Sequence, residues 1–154
     1  MKTIELVKEF HETFGHPIGA KPNIPAKEVI DFRFDFIAEE LQELRYAAED
    51  NDIIELADGL GDIQYVLDGF FLNAGLQDKK EVIMAEIHRS NMSKVCATEH
   101  EANLTVNSLP SDLGKFYWKP VGKYFIVYRV SDNKVMKSIN YSKPDLHSII
   151  YPTT

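Results

Sequence analysis

The chain has 154 residues, 44% of them hydrophobic and 27% charged, the profile of one soluble globular domain, or of one domain with a small appendage. Seventeen Lys and Arg against 24 Asp and Glu leave a net charge of −7, a poor match for nucleic-acid backbones or anionic membranes. A single cysteine, Cys96, excludes an intramolecular disulfide framework and any CxxC metal or redox motif.

The start of the chain lacks the apolar core of a signal peptide, and no apolar run approaches a membrane span. A cytoplasmic protein is the expectation. Its charge is uneven. Residues 1–94 hold 19 acids and 10 bases, while residues 95–154 hold 5 acids and 7 bases.

In chain order, Thr3 is placed to cap a helix ending at Phe14, with Val7, Phe10 and Phe14 as its apolar stripe and Gly15 as its stop. The proline-rich stretch 15–25 reads as an ordered loop. A long helix is predicted over about 26–48 from Ile30, Phe34, Ile37, Leu41 and Leu44, which step by four, three, four and three. After the break at 49–52, Asp52 caps a third helix through Asn73, closed by Ala74 and Gly75. A fourth helix is predicted from about Asp78 into the region of Ser93 or beyond, with Ile83 and Ile87 on its apolar face.

Beyond Glu99 the character changes. Residues 123–130 are aromatic and β-branched, 131–134 offer a turn, and 135–139 supply a second strand, so a hairpin is predicted there. Pro144 and Asp145 open a last short helical turn. The domain reading is a helical domain over 1–98 and a small β-containing extension over 99–154.

Half of the 24 acids lie between Glu28 and Asp62. On the third helix Glu55, Asp58 and Asp62 fall within an arc of about 60°. On the second, Glu39, Glu40 and Glu43 border the apolar stripe within an arc of about 100°. None has a Lys or Arg four residues on, so the clusters repel unless something offsets them. Solvated helix faces would suffice. A divalent cation would do better, and oxygen-only ligands suit Mg²⁺ or Mn²⁺ rather than zinc. Two or more such ions bridging a polyphosphate is the natural chemistry for so many carboxylates on adjacent helices.

These residues resemble the all-α nucleoside triphosphate pyrophosphohydrolases of the MazG type, a superfamily that includes phosphoribosyl-ATP pyrophosphohydrolase. Glu40 and Glu43 look like its Glu-x-x-Glu pair, and Glu55 with Asp58 like its Glu-x-x-Asp pair. Asp62, three residues ahead of Tyr65, also resembles the family Asp; in that register Gly59 stands where a Glu is expected. The stretches 86–94 and 137–146 are similar to a phosphoribosyl-ATP-pyrophosphohydrolase-like subgroup.

The resemblance implies an all-α fold, a four-to-five-helix MazG-like bundle, here with a small C-terminal β-hairpin extension. It implies Mg²⁺-dependent release of pyrophosphate from a nucleoside triphosphate, and a homodimer or homotetramer. Glu40, Glu43, Glu55 and Asp58 are the expected metal ligands, with Asp62 beside them and Glu39 either supporting those ligands or serving as the base. Arg33, Asn91 and Lys94 are expected on the substrate, although Arg33 equally suits a salt bridge with the acids. Tyr65 is expected in the core and His88 on the surface. The alternatives are a true phosphoribosyl-ATP pyrophosphohydrolase and a non-catalytic nucleotide-binding helical module.

Overall fold

A computed structural model describes residues 2–152. It is mostly helical, with six α-helices and one two-stranded antiparallel sheet among the described residues. No helix is long and apolar enough to cross a membrane. Two compact units divide at residue 80. Composition shifts near 98/99, whereas chain contacts divide earlier, because the second half of the fourth helix binds the tail.

The first unit holds α1 (Thr3–Phe14), α2 (Lys27–Glu49) and α3 (Ile53–Asn73), with a 3-10 turn over Gln77–Lys79. Both α1 and α2 pack against α3. Thr3 is the first helical residue rather than the cap; Lys2 precedes the helix, and its backbone N–H donates to the Glu5 carboxylate at 3.4 Å. The buried line of α1 is Ile4, Val7 and His11, so Phe10 and Phe14 do not form the inner stripe that the spacing suggests. Asp52 does cap α3, accepting from the backbone N–H of Ile54 at 2.9 Å and of Glu55 at 3.2 Å.

The inner line of α2 is also rotated from the predicted one. Arg33 and Ala47 are buried, with Ile30, Ile37, Glu40 and Leu44 half-buried on the same face, while Phe34 and Leu41 are exposed. The helix therefore turns an arginine and a glutamate inward and two apolar residues outward. The small apolar core of this unit is Ile4, Val7 and Leu72, with Ile18 and Phe71 against it. The 15–25 loop is ordered by its backbone: Gly19 N–H donates to Leu72 O at 2.8 Å and Asn23 N–H to Ala74 O at 3.0 Å.

The second unit contains most of α4 (Lys80–Met92), then α5 (Glu99–Ser108), β1 (Phe116–Val121), β2 (Tyr124–Arg129) and α6 (Leu146–Ile150). Helix α5 has no counterpart in the sequence reading. Its signal is the Thr98 N-cap with Glu101 three residues on: Thr98 Oγ1 accepts from Glu101 N–H at 3.2 Å, and the Glu101 carboxylate accepts from the N–H of Ala97, one residue before the cap, at 2.7 Å. The hairpin is real but displaced. Strand β2 pairs backward with β1, in the register Trp118 opposite Val127, and the predicted partner 135–139 contributes one bridge, Val135 to Tyr128. The physical reason is the core: Phe116, Trp118 and Phe125 pack with Val127 on Cys96 and Ala102. The last turn forms as expected, with Asp145 accepting from Ser148 N–H at 3.2 Å.

The stretches 86–94 and 137–146 meet in this unit. Glu86 binds Arg89 through two hydrogen bonds of 2.8 Å and accepts from Asp145 N–H at 2.8 Å. Ser138 Oγ donates to Ser93 O at 2.9 Å, and Ser142 N–H donates to Ser93 Oγ at 2.9 Å.

Candidate functional site

Two hollows lie side by side in the first unit. One, of about 240 Å³, has walls from Phe10, His16, Phe32, Phe36 and Tyr65, with Val7 and Val66 at its base. Phe10 anchors the aromatic wall, stacked on His16 at 5.6 Å and edge-to-face with Tyr65 at 5.7 Å. Tyr65 is therefore a cavity residue, correcting its expected place in the core. The polar lining is Arg33, His11, Glu40 and Asp62.

The other hollow is acidic. Glu43, Asp50, Asp52, Glu55, Asp58 and Asp62 line it, together with Tyr46, Ala47 and Gly59. Asp62 borders both. Gly59 is buried where α2 and α3 touch: a Cβ there would meet Leu44 Cδ1 at 3.3 Å and its Cα at 3.4 Å. Helix packing thus favours a small residue at this position, since any Cβ there would press on Leu44.

The carboxylates act on one another. Burial raises the Glu40 pKa above its ordinary value, and the negative charges of Asp62, Glu43, Glu39 and Asp58 push it further up. Among the described residues, none of Glu39, Glu40, Glu43, Glu55, Asp58 and Asp62 forms a salt bridge. Nor do three His, Cys, Asp or Glu side chains there stand close enough to enclose a metal as they are. Glu43, Glu55, Asp58 and Asp62 share a hollow rather than a closed cage, and Glu40 lines the neighbouring one. An all-oxygen donor set with unrelieved repulsion fits a hard divalent cation, and Glu39 lines neither hollow.

Arg33 does not pair with the acids. It is buried, its Nε–H donating to Asn73 Oδ1 at 2.6 Å and its Nη2–H to His11 Nε2 at 2.9 Å. His11 Nδ1 donates in turn to Pro17 O at 3.1 Å, which leaves Nε2 as the acceptor in a neutral ring. Burial lowers the pKa of both groups, and the nearby guanidinium lowers that of His11 further. Asn73 Nδ2 also donates to Pro17 O, at 2.6 Å. Sequence reading had no signal for His11 or Asn73 as polar groups at this site, because both occupy helix positions where apolar residues are expected. Asn91 and Lys94 belong to the second unit, where Lys94 Nζ donates to Asn91 Oδ1 at 2.7 Å. His88 is exposed, as expected.

The family model described as phosphoribosyl-ATP pyrophosphohydrolase matches residues 7–91. The chain is also similar to an uncharacterized protein of Acanthamoeba polyphaga mimivirus, 23% identical over 237 aligned positions that cover 95% of this chain and 94% of that protein. The chain belongs to the phosphoribosyl-ATP pyrophosphohydrolase family, within the MazG-like all-α NTP pyrophosphohydrolase superfamily. The family's activity is pyrophosphohydrolysis on nucleotide-like substrates.

Proposed function

We propose that this family member hydrolyses a nucleoside triphosphate to the monophosphate and pyrophosphate, in the manner of a nucleotide-pool housecleaning enzyme. The observation that supports it best is the junction at Asp62 of an aromatic hollow sized for one ring system and an acidic hollow suited to cations. The base would stack among Phe10, Phe32 and Tyr65, and the phosphate chain would run past Glu40 toward the acidic side.

Glu40, Glu43, Glu55, Asp58 and Asp62 would hold Mg²⁺, with Mn²⁺ as a substitute. The ions supply charge neutralisation on the phosphate oxygens and a lowered pKa for water. The role of Glu39 as the base that takes the proton when water oxygen bonds to phosphorus and pyrophosphate leaves rests on sequence alone, since its side chain is exposed and lines neither hollow. The phosphate roles of Asn91 and Lys94 rest on sequence alone. The protein is expected to work as a homodimer or homotetramer in the cytoplasm.

Pyrophosphate release from a panel of triphosphates, with and without Mg²⁺, tests this reading. Glu43→Gln and Asp58→Asn should each abolish turnover. Absence of Mg²⁺-dependent release, or unchanged turnover in both variants, overturns it. The family's description favours a second substrate, phosphoribosyl-ATP, which belongs in the same panel.

A further inference from the structure

Hydrolysis as proposed leaves the guanidinium of Arg33 unused. The group is only 7% exposed yet lines the aromatic hollow. Its two hydrogen-bond partners, Asn73 Oδ1 and His11 Nε2, are neutral acceptors. Among the described residues no carboxylate forms a salt bridge with it. A buried cation without a counter-charge is costly to keep. Bracing the 15–25 loop does not explain it, since His11 and Asn73 already reach Pro17 O by themselves.

A guanidinium has two hydrogen-bonding edges. One carries Nε–H with an Nη2–H, the other an Nη1–H with the second Nη2–H, each as a planar fork. Asn73 takes Nε–H and His11 one Nη2–H. Nη1, on the second, has no hydrogen-bond partner among the described residues. The two bonds hold the planar group in place, and Nη1 offers donors alone.

We propose that Arg33 is the base-reading residue of this hollow and that it selects a 6-oxopurine triphosphate, of the guanine or hypoxanthine type. On such a base O6 and N7 are two acceptors at the spacing of an arginine fork. Adenine replaces O6 with an amino group, so donor would face donor. On the corresponding edge uracil and thymine carry a single acceptor and cytosine a donor. The aromatic walls stack on any base, which leaves the discrimination to Arg33. His11 and Asn73 are positioning residues for it. The inference rests on the triphosphate hydrolase reading and narrows its substrate.

ITP and ATP differ in this respect by the 6-substituent alone. With Mg²⁺, kcat/KM for ITP and GTP should exceed that for ATP about tenfold to hundredfold, and Arg33→Lys, which keeps the charge without the fork, should shrink that ratio mainly through KM. Equal turnover of ITP and ATP, or preference for a pyrimidine, overturns the inference while leaving the hydrolase reading standing. Should the buried variant fail to fold, wild-type protein still decides: saturation-transfer NMR without metal should show inosine bound more strongly than adenosine. Inosine selection without any pyrophosphate release would sink the hydrolase reading and keep the pocket. Equal binding of the two nucleosides counts against Arg33 as the reader.

Discussion

The guanidinium of Arg33 fills the space that a side chain at Gly69 would need: a Cβ there would come within 2.5 Å of Nη1 and 2.8 Å of Cζ. Helix α3 therefore passes close to α2 at the one level where α2 turns a large cation inward. Gly69→Ala should cost about 1–3 kcal/mol through overpacking, read by urea unfolding. The same variant should disturb base selection, because the displaced guanidinium leaves Asn73 and His11. An unchanged unfolding midpoint would show that Arg33 moves aside freely.

His11 gives the first unit an acid-sensitive lock. Burial is the main cause of its lowered pKa, with the charge of Arg33 adding to it. The unfolded chain thus binds a proton more readily than the folded one, and stability must fall as pH drops from the ordinary histidine value through the lowered one. Protonating Nε2 also removes the acceptor for Arg33. Thermal unfolding at stepped pH should show this loss below about pH 6.5, and His11→Gln should flatten it. A variant with the wild-type slope would assign the effect elsewhere.

Glu40 works in the opposite sense. Its pKa is raised, by burial first and by Asp62, Glu43, Glu39 and Asp58 next. The folded state holds the proton more tightly, so stability falls as pH rises from the ordinary glutamate value through the raised one. Without metal, Glu40→Gln should therefore raise the melting temperature at neutral pH. Mg²⁺ or Mn²⁺ should raise it for the wild type and less for the variant. Equal metal shifts in both would remove Glu40 from the cation site.

Asp68 is fully buried and pairs with Lys80, while Gln64 Nε2 donates to its Oδ1 at 3.0 Å and Lys80 Nζ donates to Thr3 Oγ1 at 3.1 Å. Its second oxygen has no partner among the described residues. Lys80→Met leaves that carboxylate uncompensated and should cost about 3–5 kcal/mol. The double change with Asp68→Leu should recover much of it. Chemical denaturation of the three proteins checks both statements, and an additive double mutant would deny the coupling.

Much of this was legible in residue order. Helices α2 and α3, the Asp52 cap and the two acidic clusters follow from period and capping chemistry, which are local. The inner face of α2 was not, because periodicity ranks Phe34 and Leu41 above Arg33 and Glu40 although all four share one repeat. Only the partner helix decides which line turns inward, and Gly69 makes room for the arginine. Helix α5 was hidden for a different reason: ten residues with weak apolar contrast, betrayed by the Thr98 and Glu101 pair alone. The hairpin slipped because β1, which brings Phe116 and Trp118 onto the Cys96 core, pairs along the whole of β2, while 135–139 keeps one bridge, Val135 to Tyr128, and places Met136 on the same core.

Asp62 borders the aromatic and the acidic hollow alike. A lesion at that carboxylate would blur who is recognised and how fast it is cut in a single stroke. If the proposed roles hold, preference can be tuned at the arginine end and turnover at the glutamate end independently, but not at this shared post.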